Sequence, residues 1–132
     1  MNGAVATVQS VGKPRGERML MKITAHTTDQ VTTLCLEGNF IYTERKPFQE
    51  AVQQACSGGA RKIVIDLAEV SSLDSAALGL LMVTHRRLCN ERCRLVLARP
   101  RPNVKQVIHL TNLHELIPIS DGSDLTPLPK SA

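Results

Sequence analysis

The chain has 132 residues, 42% of them hydrophobic and 21% charged, with a formal net charge of +4, one Tyr, two Phe and no Trp. This describes one globular domain with an aliphatic core, of a size that buries roughly two-thirds of its chain surface. It excludes a transmembrane helix, which needs roughly 18–20 consecutive apolar residues, and it argues against single-strand nucleic-acid binding by base stacking, which needs aromatic rings.

Residues 1–18 hold Gly3, Gly12, Pro14 and Gly16 among charges, without a period, and read as a flexible leader. They show no basic start followed by an apolar block, the pattern of a secretory signal. MLMKITAHTT (19–28) alternates and is rich in β formers. Asp29-Gln30 turns the chain, and VTTLCLEG (31–38) alternates again, with Thr32, Leu34 and Leu36 on one face and Val31, Thr33, Cys35 and Glu37 on the other. The two predict a hairpin, with Gly38-Asn39 breaking the second strand.

From Thr43, a plausible N-cap, the period becomes helical: Phe48, Ala51, Val52 and Ala55 share one face until Ser57-Gly58-Gly59 ends the helix. KIVIDLA (62–68) is a continuous apolar run bounded by charge, the pattern of a strand buried on both faces. Ser71-Ser72-Leu73-Asp74-Ser75 interrupts it with polar residues. AALGLLMVTHRRL (76–88) then runs at helical period, capped by Asp74 or Ser75, with Ala77, Leu80, Leu81, Thr84 and Leu88 on one stripe. RLVLA (94–98) predicts a short buried strand. A helix over 103–111 follows Pro100 and Pro102, LIPI (116–119) predicts a last strand, and 120–132 reads as a flexible tail. The order ββαβαβαβ implies right-handed crossovers and an α/β domain over 19–119, with a mixed, mostly parallel sheet of about five strands.

The polar cluster after the buried strand is where chemistry concentrates: Asp66, then Ser71 to Ser75. In open α/β sheets ligand contacts gather at the carboxyl ends of strands and at helix starts. Ser75 would sit beside unsatisfied N–H groups, where a phosphate would be stabilised locally while adding about −1.5 to −2 charge. Capping alone also accounts for Asp74 and Ser75. Other constellations are missing: no GxGxxG, no phosphate loop, no GxSxG and no paired carboxylates, so the chain reads as a non-enzyme.

Gly79 lies inside a helical pattern, where it costs about 1 kcal/mol against Ala, for which close packing against a strand or a partner would be the reason. Cys35, Cys56, Cys89 and Cys93 have neither CxxC nor zinc-knuckle spacing, and read as reduced structural cysteines of a cytoplasmic protein. His26, His85, His109 and His114 are scattered, so no metal or cofactor is expected. Much of the positive charge lies in 85–101, where Arg86 and Arg87 complement a helix C-terminus and an acidic protein partner is the alternative reading.

Three pieces in order, KIVIDLAEV (62–70), SSLDSAALGLLMVTHRRL (71–88) and RLVLARPRPNVKQVIHLTNLHELIPI (94–119), resemble the STAS domain, the fold of bacterial anti-sigma-factor antagonists. The middle piece corresponds to the family signature D-S-[ST]-G-[LI]-G followed by an apolar helix. The resemblance implies partner switching. Such a domain, unphosphorylated, binds a serine-kinase anti-sigma factor of the ATPase fold. Phosphorylation at the start of the second helix breaks the complex, and a PP2C-type phosphatase restores it.

The resemblance makes Ser75 the candidate phosphoacceptor and places partner contacts at Asn39, Phe40, Tyr42, Ser72, Asp74, Ser75, Leu78 and Met82. Phe40 and Tyr42 together would be the aromatic hot spots of that face. The chain departs from the family at Ala76, where a second hydroxyl is usual and often accepts the phosphate, at Ala77, usually Gly, and at Ile41, usually Asp. These departures keep two other readings open: a STAS adaptor subunit of a lipid-transport or signalling complex without phosphoregulation, and a nucleotide-binding STAS domain. No contact with nucleic acid and no membrane insertion is expected.

Overall fold

A computed structural model describes residues 21–120, so the expected leader and all but the first residue of the expected tail lie outside the described residues. Strands β1 (Met21–Thr28) and β2 (Val31–Phe40) form the hairpin. Asp29 and Gln30 both take positive φ, 52° and 67°, the geometry of a two-residue turn whose twist matches that of the strands it joins. A 3-10 turn at Tyr42–Glu44 leads into α1 (Arg45–Ser57). Then follow β3 (Lys62–Leu73), α2 (Ser75–Asn90), β4 (Arg94–Ala98), α3 (Pro102–Leu110), a 3-10 turn at Leu113–Glu115 and β5 (Ile119–Ser120).

The five strands lie side by side in chain order; β1–β2 is antiparallel and the remaining pairs are parallel. The mixed, mostly parallel sheet is therefore the predicted one.

Alternation decides which residues fill the core. Leu34, Leu36 and Phe40 of β2, Ile63, Ile65 and Leu67 of β3, and Leu95 and Leu97 of β4 meet Phe48, Ala51 and Val52 of α1, Leu81 and Leu88 of α2, and Val104 and Ile108 of α3 in one cluster. Val64, Val96 and Ala98 form a smaller cluster on the other sheet face, with Val31 against it. The apolar run of β3 is thus buried on both faces, as its lack of alternation requires.

Several details differ from expectation. Gly38-Asn39 does not end β2, and Ser71-Ser72 is not a loop: the pairing continues through Asn39↔Ser72 to Phe40↔Leu73. The register shifts twice, between Cys35 and Glu37 and between Gly38 and Asn39. Each shift leaves an extra residue on β3, which moves its core-facing parity from Ile63, Ile65 and Leu67 to Val70 and then Leu73. Gly38, at φ 112°, supplies the backbone that one of these irregularities needs.

Thr43 does not cap α1. It lies within the 3-10 turn, and its hydroxyl donates to Glu44 Oε2 at 3.0 Å. The inward stripe of α2 is Ala77, Leu78, Leu81, Thr84 and Leu88, so Leu78 takes the place expected for Leu80. The last strand starts at Ile119, because residues 113–115 form a 3-10 turn first.

Candidate functional site

The β2–β3 pair runs well beyond β4. Pairing of β3 with β4 ends at Asp66↔Ala98, whereas pairing with β2 continues for seven further residues of β3 to Leu73. At the tip of this two-stranded ribbon the chain enters α2 through Asp74, whose backbone is extended, the usual state of an N-cap.

Both carboxylate oxygens of Asp74 are used. Oδ1 accepts from the Ala77 amide at 2.8 Å and caps α2; Oδ2 accepts from the Tyr42 amide at 2.9 Å. Asp74 thereby joins the start of α2 to the turn that follows β2. Beside it, Ser72 Oγ donates to Asn39 Oδ1 at 2.8 Å across the ribbon, and Asn103 of α3 donates to the Ser71 carbonyl at 2.9 Å.

Asn39, Tyr42, Ser72, Asp74 and Ser75 are therefore gathered at one end of the sheet. Ser75 is exposed at the first position of α2, where helix amides and the positive end of the dipole favour an anion. Tyr42 is 55% exposed, and the Arg45 guanidinium stands over its ring at 4.2 Å, a cation–π contact that holds both side chains at the rim.

Three expected contact residues lie elsewhere. Phe40 is wholly buried and packs on Phe48, ring centroids 4.9 Å apart. It anchors the ribbon and presents nothing to a partner. Leu78 belongs to the core, at 9% exposure, and Met82 is half-buried against that core. The outward face of α2 carries Ala76, Gly79, Leu80 and Val83 instead. With Ile41, Tyr42, Arg45 and Gln49 these line a groove of about 250 Å³ between α2 and the start of α1. Sequence reasoning missed Arg45, Gln49 and Val83; Val83 already lies off the predicted stripe of Ala77, Leu80, Leu81, Thr84 and Leu88, and that position was the signal that could have found it.

Asp66 serves the scaffold. It is buried, and Arg99 holds it in a fork, Nε to Oδ1 at 3.2 Å and Nη2 to Oδ2 at 2.5 Å, while Oδ1 also accepts from the Ala68 amide at 3.1 Å. The hydrogen bonding of Arg99 to Asp66 pushes the Arg99 pKa up. Cys35 lies against Asp66, and burial, reinforced by the neighbouring carboxylate, pushes its thiol to about 11.

At the opposite end of the sheet Cys93 is likewise pushed to about 11, first by burial and then by the neighbouring Cys56, while its Sγ donates to the Arg94 carbonyl at 3.9 Å. Burial also raises Cys56. All four cysteines are free, and Cys89 alone is exposed. Among the described residues, no group of three or more His, Cys, Asp or Glu side chains is placed to hold a metal, and no helix is long and apolar enough to cross a membrane.

A mixed sheet with sequential parallel crossovers, and a polar helix start raised on the longest strand pair, define an α/β domain that carries a helix tip and its flanking turn at one end of the sheet. The chain belongs to the STAS-domain family, whose model matches residues 22–125. It is 29% identical over 91 residues to a STAS-domain containing protein of Pseudomonas aeruginosa, a match that covers 69% of this chain and 89% of that one.

Among solved structures it is similar to an anti-sigma factor antagonist from Mycobacterium paratuberculosis, with TM-score 0.70, 23% identity and coverage of 79% of this chain and 88% of that one. It is also similar to the anti-sigma factor antagonist SpoIIAA in its unphosphorylated form, with TM-score 0.63, 21% identity and coverage of 74% and 86%. These two likenesses show the shared fold of a STAS domain.

Proposed function

We propose that this domain acts by partner switching: it binds a serine-kinase anti-sigma factor of the ATPase fold through the helix tip and the turn that begins at Tyr42, and phosphorylation of Ser75 ends the complex. The observation that carries this is the position of Ser75, exposed at the start of α2 directly after a carboxylate whose two oxygens are both engaged. A phosphate on Ser75 would be tolerated by the free domain, because the helix start favours negative charge. In a complex the same dianion would meet the partner surface, where desolvation and any nearby carboxylate oppose it. The loop geometry survives modification and the interface does not, which is what a reversible switch requires. A PP2C-type phosphatase would reset it in the cytoplasm.

The test is titration calorimetry of the purified domain against the recombinant ATPase-fold serine kinases of the same genome. Wild type and Ser75→Ala bind one of them with similar affinity, and Ser75→Asp binds at least tenfold more weakly. Equal affinity of Ser75→Asp and wild type removes Ser75 from the mechanism. Ala76 and Ile41, which replace a usual hydroxyl and a usual Asp, support a second reading, a STAS adaptor that binds without phosphoregulation. Mass spectrometry after incubation with the binding kinase and ATP separates the two, because stoichiometric phosphate on Ser75 or Ser72 contradicts the adaptor.

A further inference from the structure

Gly79 is an exposed glycine within the sixteen-residue α2. Glycine is unfavourable in a helix interior because of its backbone entropy, so its presence asks for a reason. The fold supplies none. Gly79 is not among the residues at positive φ, and a Cβ built on it meets nothing within 4 Å. No strand packs on it, which removes one of the two reasons its place in the sequence suggested and leaves a partner.

Its surroundings show which kind of partner. Gly79 lies on the floor of the groove between α2 and the start of α1, and two large apolar side chains stand exposed at its margins, Tyr42 at 55% and Val83 at 61%. Arg45 is held over Tyr42 at one rim. Beyond Gln49 the groove passes into a polar stretch lined by Lys46, Glu50 and Arg87, where Arg87 is also paired with Glu91 at 3.6 Å, so the cation left to the apolar part is Arg45. An apolar floor with a cationic rim fits an apolar segment flanked by a carboxylate. A second copy of this chain fits it poorly, since two such rims would face each other with like charge on a chain of net charge +4.

We propose that Gly79 is a contact residue for the kinase partner: its missing side chain lets an apolar, acid-flanked segment of that partner lie directly on the backbone of α2, with its carboxylate on Arg45. The proposal rests on the partner-switching reading and specifies where the partner's weight falls, away from Ser75 and along the helix. It also separates what Gly79 does for the fold from what it does for binding, because a methyl group there suits the free helix and obstructs the complex.

The test pairs urea denaturation with calorimetry against the ATPase-fold serine kinase that binds wild type. Gly79→Ala unfolds at a urea midpoint equal to or above that of wild type. Gly79→Ala binds the kinase more weakly, and Gly79→Leu at least thirtyfold more weakly. Arg45→Glu weakens binding at least tenfold, and Arg61→Glu, at the far end of the sheet, leaves it within twofold. A lowered midpoint for Gly79→Ala shows that the fold needs the glycine and overturns the proposal, as does wild-type affinity in Gly79→Leu. Sedimentation showing a dimer that Gly79→Leu dissolves overturns the choice of occupant. Should Gly79→Leu bind normally while Ser75→Asp does not, this proposal falls and partner switching stands; should no such kinase bind wild type, both fall.

Discussion

Replacing Asp74 with alanine removes two hydrogen bonds that act on different segments. One caps α2 through the Ala77 amide and the other holds the Tyr42 amide. Loss of an N-cap side chain costs typically about 1 kcal/mol. A hydrogen bond to a charged group contributes about 1.5–3 kcal/mol when buried, and the exposure of Tyr42 brings this to about 1–2 kcal/mol here. The expected loss is therefore about 2–3 kcal/mol, which lowers the melting temperature of a domain this size by roughly 8 °C or more. Asp74→Asn keeps a single acceptor oxygen and remains a good N-cap, so it should lose about half as much. Urea denaturation followed by far-ultraviolet circular dichroism measures both variants. The two-bond account is refuted if Asp74→Ala lies within 0.5 kcal/mol of wild type (on the order of the usual effect of a surface substitution), or if Asp74→Asn is as damaging as Asp74→Ala.

The two neighbouring aromatics should respond in opposite ways. Phe40→Ala should cost about 3–5 kcal/mol of stability, as a large buried ring does, whereas Tyr42→Ala should stay within about 0.5 kcal/mol of wild type while weakening kinase binding; equal destabilisation of the two would contradict the assigned burial. Arg99→Ala should leave the buried Asp66 with only the Ala68 amide and the weak Cys35 thiol donor. Loss of one partner of a buried pair costs about 3–5 kcal/mol, and solvent screening of the half-exposed guanidinium discounts this to about 1–3 kcal/mol. An unchanged denaturation midpoint would show that the pair adds nothing. With iodoacetamide at pH 8, Cys89 should be alkylated first, because it alone is exposed. Cys35 and Cys93, pushed to about 11, carry almost no thiolate there, and peptide mapping that finds either labelled before Cys89 would overturn their burial.

How much of this was visible in the sequence depends on whether a pattern runs unbroken. The β3 run from Ile63 to Leu67 and the Asp74-Ser75 helix start are local signals, and both stand where periodicity put them. The upper half of β3 was hidden because two register shifts change its parity, so Ser71-Ser72 reads as loop although Ser72 pairs with Asn39. Phe40 was misplaced for a related reason. Gly38-Asn39 looks like a strand end, yet Leu34, Leu36 and Phe40 keep the same parity on a strand that carries straight through. In α2 a band of Ala and Leu leaves the inward face ambiguous by about one position, and only packing chooses Leu78 over Leu80. The groove beside Gly79 was not legible at all, since it depends on how the start of α1 stands against α2.

The long β3 strand also separates the molecule into two working ends. Its twelve residues span roughly 36 Å at the usual rise per strand residue. The helix tip with Ser75 lies at the finish of that span. The Asp29-Gln30 turn and the Gly58-Gly59 turn lie at its start, where Arg61 and Lys62 bond the Gln30 carbonyl. For anyone building a reporter from this domain, those turns are the natural insertion points: a fluorophore or tag placed there stands a full strand length from the surface that a partner would cover, so it can be read without entering the complex.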